Sequence, residues 1–133
     1  MAAPTPVTYE RQVGHSLTSL WEAEWATTDN FTDTIIIDLS GMAEEYTSGI
    51  KIEKLFLIST TGIEIVLEFD ATTDQLVAVL PEGATGPINL DFRDLPDGGL
   101  RKTAAGGTAD LVLTTTGAAS GDRVYLSVLS RLE

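Results

Sequence analysis

The chain contains no cysteine and only one histidine, and it has 8 lysine and arginine residues against 20 aspartate and glutamate residues. Without cysteine it has no disulfide, thiol nucleophile or thiolate metal ligand. The histidine, His15, has no partner at a spacing typical of a catalytic triad, and an activated nucleophile needs an oriented base. No phosphate-binding loop is present. The sequence therefore predicts a non-enzymatic protein with no catalytic residue, cofactor or metal site.

The net charge of −12 is large for 133 residues, and it limits the classes of molecule that the protein can bind. An acidic chain repels phosphate backbones, so we expect no nucleic-acid partner. No apolar run approaches the ~20 residues of a membrane helix, so we expect no membrane partner. Residues 1–6 have neither the basic nor the apolar region of a signal peptide, which predicts synthesis in the cytoplasm.

Alternation of apolar and polar residues is the clearest positive signal. In residues 63–70, Ile63, Ile65, Leu67 and Phe69 share one face of a predicted strand. Similar segments are residues 7–13, 17–25, 34–39, 50–58, 76–80, 88–92, 111–115 and 124–129. Short strands at near-even spacing, without a convincing helix, are typical of an antiparallel sandwich or a small barrel. We predict an all-β, antiparallel β-sandwich, jelly-roll-like, with eight or nine short strands.

Turns between these segments predict local pairing. Residues 59–62 end in Gly62, which can adopt a positive φ, and predict a hairpin joining strands 50–58 and 63–70. Residues 116–122 predict a closing hairpin in the same way. The wholly apolar run of residues 55–58 predicts a strand end covered on both faces.

The chain is short enough for one domain with one core. Pro4 and Pro6 favour an extended backbone over the first residues, and neither has a backbone N–H group to donate to a neighbouring strand. We predict an extended N-terminal arm over residues 1–12 and a single sandwich domain over residues 13–133. The arm is either a frayed terminus or a segment that lies on a neighbouring subunit.

Three sets of side chains have both a structural and a functional interpretation. Trp21 and Trp25 fall on one strand face, where core packing is the commoner role and sugar binding the alternative. Asp91, Asp94 and Asp97 recur every three residues but lack the other ligands of a calcium loop, so solvated turn carboxylates are favoured. Distant carboxylates could in principle form a glycosidase pair, although nothing in the sequence supports one.

Two segments of the last third resemble small virion structural proteins of tailed bacteriophages. Residues 111–129, LVLTTTGAASGDRVYLSVL, place a turn rich in Thr, Gly and Ala before a final apolar strand. Residues 90–101, LDFRDLPDGGLR, are similar to the glycine-containing loops of those proteins.

This resemblance implies a capsid decoration (cement) protein of the head surface, which binds the major capsid protein and bridges capsomers. Self-association as a dimer or trimer is expected with it. Our candidate interface residues are Tyr9 and Arg11 on the arm, and Arg93 and Arg101 near the glycine-rich loop. The alternative is a carbohydrate-binding sandwich module of a phage fibre or tail, and a glycan hydrolase is a third class.

Overall fold

A computed structural model describes residues 3–133, and all of its regular structure is β apart from one short 3₁₀ turn, Glu44–Tyr46. The strands, numbered in chain order, are β1 (Val7–Val13), β2 (Ser16–Glu24), β3 (Thr34–Ile37), β4 (Ile50–Ser59), β5 (Glu64–Phe69), β6 (Gln75–Leu80), β7 (Ile88–Asp91), β8 (Leu100–Arg101), β9 (Leu111–Thr116) and β10 (Arg123–Leu132). No helix in the described range is long or apolar enough to cross a membrane.

The strands form two antiparallel sheets, which confirms the predicted β-sandwich. Sheet A has the order β1-β2-β10-β4-β7, and β8 also pairs with β4. Sheet B has the order β3-β9-β5-β6. The nine predicted segments all contain strands. The additional strand, β8, has only two residues and lies within a glycine-rich stretch, so it has no alternation to detect.

Pairing between the strands is nested along the chain. Strand β5 pairs with β6, β4 with β7, β3 with β9, and β2 with β10. Both predicted hairpins are therefore wrong, because β4 and β5 lie in different sheets, as do β9 and β10. Glycine turns suit a crossing between sheets as well as a hairpin, and β4 instead takes β10 and β7 as neighbours. Turn chemistry identifies where a strand ends but not which strand it joins.

The core lies between the two sheets and follows the predicted alternation. Ile63, Ile65, Leu67 and Phe69 are all buried. On the opposite sheet Trp21 and Trp25 are 2% and 1% exposed, which confirms their core assignment. Both indoles pack edge-on against Phe31, with ring centroids 5.3 and 5.4 Å apart. Such pairs add to the free energy gained from area burial alone.

The predicted arm is largely β1 in this structure. Residues Val7–Val13 pair along their whole length with Ser16–Glu22 of β2, yet every β1 residue is exposed. Met1 and Ala2 of the predicted arm lie outside the described residues. Strand β1 thus extends sheet A beyond the buried core.

Candidate protein-interaction face

The outer face of sheet A, the face away from sheet B, exposes more apolar surface than the sequence led us to expect. Residues 55–58 were predicted to be covered on both faces. In the structure only Leu55 and Leu57 are buried, whereas Phe56 and Ile58 are half-buried on the outer face. That prediction is wrong for the single chain, because sheet B covers one side of β4 and no other described element covers the second.

Strand register gathers other apolar side chains around Phe56. Residues directly opposite each other in antiparallel strands share a face. Tyr9 is opposite Leu20, Leu20 is opposite Ser127, and Ser127 is opposite Phe56. The rings of Phe56 and Tyr125 are in edge contact, with centroids 6.1 Å apart. We define the apolar patch as Val7, Tyr9, Leu20, Phe56, Ile58 and Tyr125.

The apolar patch is exposed to solvent and borders a shallow depression. Tyr9 is 59% exposed and Tyr125 is 37% exposed. A depression of about 190 Å³ lies against Tyr9, Leu20 and Tyr125. A surface of this kind, with aromatic rings beside a depression, provides the rigid anchors that dominate binding energy in protein interfaces.

Basic side chains occupy the neighbouring rows of the same face. Arg11 is opposite Thr18, Thr18 is opposite Leu129, and Leu129 is opposite Lys54. In the next row Lys51 has Arg131 and Arg101 as its opposite residues. We define the basic rows as Arg11, Lys51, Lys54, Arg101 and Arg131.

The distribution of charge over the two sheets is one-sided. The chain has 8 basic residues. Six lie in strands of sheet A, and Arg93 and Lys102 follow β7 and β8. None of the four strands of sheet B contains a lysine or an arginine. The strands of sheet A therefore carry both cations and carboxylates, whereas the strands of sheet B carry carboxylates only, namely Glu64 and Glu68.

Several of the basic side chains are already paired within the chain. Arg93 donates to both carboxylate oxygens of Asp91, at 2.9 and 2.7 Å, and this contact lowers the pKa of Asp91 far below its usual range. Arg101 pairs with Glu133 and approaches Asp97 at 3.5 Å. Within residues 3–133, no ion pair involves Arg11, Lys54 or Arg131. Arg11 and Arg131 remain available to a partner, whereas Lys54 lies opposite Asp91 and helps to lower its pKa.

The four predicted interface residues all lie along sheet A, but at two different margins. Tyr9 and Arg11 point to the outer face on β1. Arg93 and Arg101 lie at the opposite margin, where both are engaged in the ion pairs above. Whether any of them contacts a partner stays a prediction. Sequence reasoning missed Phe56 and Lys54 as site residues, although the apolar run at residues 55–58 was a signal for the first.

The acidic candidates behave as structural carboxylates. Asp91 and Asp97 are in contact with Arg93 and Arg101, so they serve their own turns rather than a calcium loop. A group that the sequence did not indicate is Asp33, Glu68 and Asp74, whose carboxylate oxygens lie within 4.8 Å of one another. Calcium takes six to eight oxygen ligands, and these three carboxylates supply only part of such a shell.

The environments of His15 and of the tryptophans are equally structural. The Nδ1 atom of His15 lies 2.8 Å from the carbonyl oxygen of Leu132, and the ring packs edge-on against Tyr46 at 5.0 Å. The Nε1 atom of Trp25 donates to the carbonyl of Asp29 at 2.8 Å. Buried in this way, Trp21 and Trp25 cannot form a sugar-binding platform.

No protein-family model, curated protein or solved structure matches this chain. Its function must therefore be argued from its own fold and surface.

Proposed function

We propose that this protein is a non-enzymatic virion structural protein, a decoration protein that binds the outer surface of a phage head and bridges capsomers. The major capsid protein is its partner in this proposal, and the head surface is its location. The outer face of sheet A is the docking surface.

The observation that carries the proposal is the open side of β4. Phe56 and Ile58 belong to an apolar run of the kind found in strands covered on both faces, yet one of those faces is open. Tyr125 and Tyr9 extend the apolar patch, and Arg11 and Lys54 border it. Aromatic side chains with arginine are enriched where proteins bind proteins.

Strand order supports a virion role as well. We infer that the sandwich is a jelly roll, because its nested pairs follow a single long antiparallel ribbon wrapped into two sheets. The ribbon runs from the β2·β10 pair to the β5·β6 turn, and β1 adds one strand at the edge. Jelly rolls are frequent in viral capsid and lectin domains, so this is an analogy of fold that leaves function to the surface.

Charge explains why one face would be chosen for docking. Sheet B is free of basic residues and repels an acidic surface, whereas Arg11, Lys54 and Arg131 attract one. The sandwich would therefore dock through sheet A on an acidic and apolar capsomer surface, and sheet B would face solvent.

Co-sedimentation with undecorated phage heads tests the proposal. The unmodified protein is expected to bind saturably, at a fixed ratio per capsomer. Tyr125→Asp places a charge in the apolar patch, so we expect its affinity to fall at least about tenfold. The matched control is Leu76→Asp, which adds the same charge at an exposed apolar residue of sheet B.

The control variant is expected to bind like the unmodified protein. Absence of saturable binding by the unmodified protein would contradict the decoration role. Loss of binding in Leu76→Asp but not in Tyr125→Asp would contradict the choice of face.

A carbohydrate-binding module of a phage fibre or tail is the second candidate, and one observation favours it. Tyr9, Phe56 and Tyr125 present aromatic surface on a single face, as sugar-binding sites do. Isothermal titration with soluble host-surface glycans separates the two candidates. Glycan binding that Tyr125→Asp abolishes, together with no binding to heads, would favour the fibre or tail module.

A further inference from the structure

The free edge of sheet A is an unusual feature of this protein. Strand β1 has seven residues, all exposed, and its register with β2 continues without a bulge. Val7, Tyr9 and Val13 are 64%, 59% and 64% exposed. Long, flat and apolar edge strands present unpaired backbone groups, and natural proteins normally cover them or interrupt them.

The other sheet edges in residues 3–133 are shorter or less regular than β1, and β6 has a register shift against β5. On β6, the side chain of Gln75 accepts hydrogen bonds from the backbone N–H groups of Thr103 and Ala104, at 2.6 and 2.9 Å. Strand β3 is short and has a register shift against β9. Strands β7 and β8 divide the margin of β4 into two short segments. Only β1 combines length, regularity and exposure.

We propose that β1 pairs antiparallel with β1 of a second copy of this chain, across a two-fold axis perpendicular to sheet A that passes between the two Tyr9 residues. Both copies then contribute the same strand, as a closed two-fold dimer requires. Sheet A continues from one protomer into its partner, and the two apolar patches meet at Tyr9.

Symmetry leaves few registers, and charge repulsion disfavours two of those near the middle of the strand. Because the axis is perpendicular to the sheet, one residue of β1 must lie opposite its own copy. Centring the axis on Glu10 places two carboxylates opposite each other, and centring it on Arg11 places two guanidinium groups opposite each other. Like charges directly opposite are destabilising.

The Tyr9 register has no such conflict. It places Tyr9 opposite Tyr9, Thr8 opposite Glu10, and Val7 opposite Arg11. The aromatic pair is favourable, the threonine hydroxyl can donate to the carboxylate, and the arginine stem covers the valine. Glu10 gains a donor in this arrangement. A hydrogen-bond donor would stabilise the ionised carboxylate of Glu10, whose pKa desolvation and Asp38 raise.

The absence of cysteine makes the register directly measurable. Opposite residues in an antiparallel pair have Cα atoms about 4.5–5.5 Å apart, within the range that a disulfide spans. Under mild oxidation we expect Tyr9→Cys to form a covalent dimer at least about tenfold faster than Glu10→Cys or Arg11→Cys. Thr116→Cys, at an exposed residue of sheet B, reports random collision.

Each outcome of this experiment decides between arrangements. Fastest crosslinking of Glu10→Cys or Arg11→Cys would overturn the Tyr9 register. Equal rates for Tyr9→Cys and Thr116→Cys would overturn edge pairing altogether.

Sedimentation equilibrium tests the dimer without a disulfide. The unmodified protein is expected to dimerise reversibly, and Tyr9→Lys to weaken the dimer at least about tenfold, since lysine on an edge strand opposes pairing. Leu76→Lys, with the same change on sheet B, should leave the dimer unaffected. A dissociation constant weaker than roughly 100 μM for the unmodified protein would overturn the proposal.

These measurements need no phage head, so they stand apart from the proposed function. A dimer without head binding would leave the edge pairing intact and remove the decoration role. Head binding by a strict monomer would do the reverse.

Discussion

Residue by residue, the carboxylates of this acidic chain differ according to their neighbours. Asp70 accepts hydrogen bonds from the backbone N–H and the hydroxyl of Thr108, at 2.8 and 2.7 Å, which lower its pKa. Glu68 has the opposite shift, because desolvation together with Asp74 and Asp33 raises its pKa. Ionised Asp70 therefore stabilises the fold above its unfolded pKa of about 3.9, and this contribution is lost as pH falls through the folded value.

Glu68→Gln is expected to stabilise the protein at pH 7 by up to about 1 kcal/mol, because it removes a partly desolvated carboxylate that lies beside two like charges. The sign follows from the raised pKa. Below its unfolded pKa of about 4.3 the glutamate is protonated and does not destabilise the fold. As pH rises through the folded pKa, the carboxylate ionises and the free energy of unfolding falls. Urea unfolding should show the gain at pH 7 and little difference near pH 4.

Glu64→Gln is the matched control, since Glu64 lies on the same strand outside the carboxylate group. A gain as large in Glu64→Gln would attribute the effect to net charge alone.

At the scale of elements, side-chain hydrogen bonds hold the connection between β2 and β3 against β9. The hydroxyl of Thr115 on β9 accepts from the backbone N–H of Phe31 at 3.0 Å and donates to the side-chain oxygen of Asn30 at 3.1 Å. That oxygen also accepts from the N–H of Ala118 at 3.0 Å. These bonds place Phe31 between Trp21 and Trp25, so the aromatic core depends on a buried threonine.

Thr115→Val keeps the shape of the side chain but leaves the buried N–H of Phe31 without its side-chain acceptor. We expect a loss of about 1–3 kcal/mol in the free energy of unfolding. Urea denaturation followed by tryptophan fluorescence would measure it. Thr116→Val, an exposed neighbour, should change stability by less than about 0.5 kcal/mol, and equal effects would show that the hydroxyl is unimportant.

Removing residues 1–12 is expected to leave the fold intact and to abolish head binding. All β1 side chains are exposed, so the deletion removes ladder hydrogen bonds, the Tyr9 side of the docking face and the partly buried Ala3, but none of the fully buried core residues. Circular dichroism and thermal unfolding check the fold, and co-sedimentation checks binding. Binding that survives the deletion would refute a role for β1 in docking.

For the whole molecule, the dominant electrostatic feature is a net charge of −12 with its cations confined to sheet A and the residues that follow its strands. Self-repulsion of this size destabilises a compact state, and salt screens it. The few surface ion pairs, such as Arg123 with Glu24 at 3.1 Å, contribute little by comparison.

Raising NaCl from about 10 to about 300 mM at pH 7 is therefore expected to raise the urea midpoint, because the screening length falls from about 30 Å to below 10 Å. The control is the same titration near the sequence pI of about 4.2, where the net charge vanishes and salt should have little effect. A midpoint that falls with salt at pH 7 would mean that the ion pairs on sheet A outweigh the repulsion.

The sequence by itself determined the strands other than β8, the sandwich class, and the buried faces of strands such as β2 and β5. These follow from local periodicity, and the alternation at Ile63 to Phe69 or at Trp21 and Trp25 is readable without any partner strand. It did not determine pairing. Gly62 marks a turn whether β5 folds back on β4 or crosses to the other sheet, and only the tertiary structure decided for the crossing.

The candidate docking face was decided at that same tertiary level. Tyr9 on β1, Tyr125 on β10, and Lys54 and Phe56 on β4 come from three distant parts of the sequence. They come together through the register of β1, β2, β10 and β4. The exposure of Phe56 on the outer face could not be predicted from the apolar residues beside it in sequence. An apolar run indicates that a surface is favourably buried, but it does not indicate which element buries it.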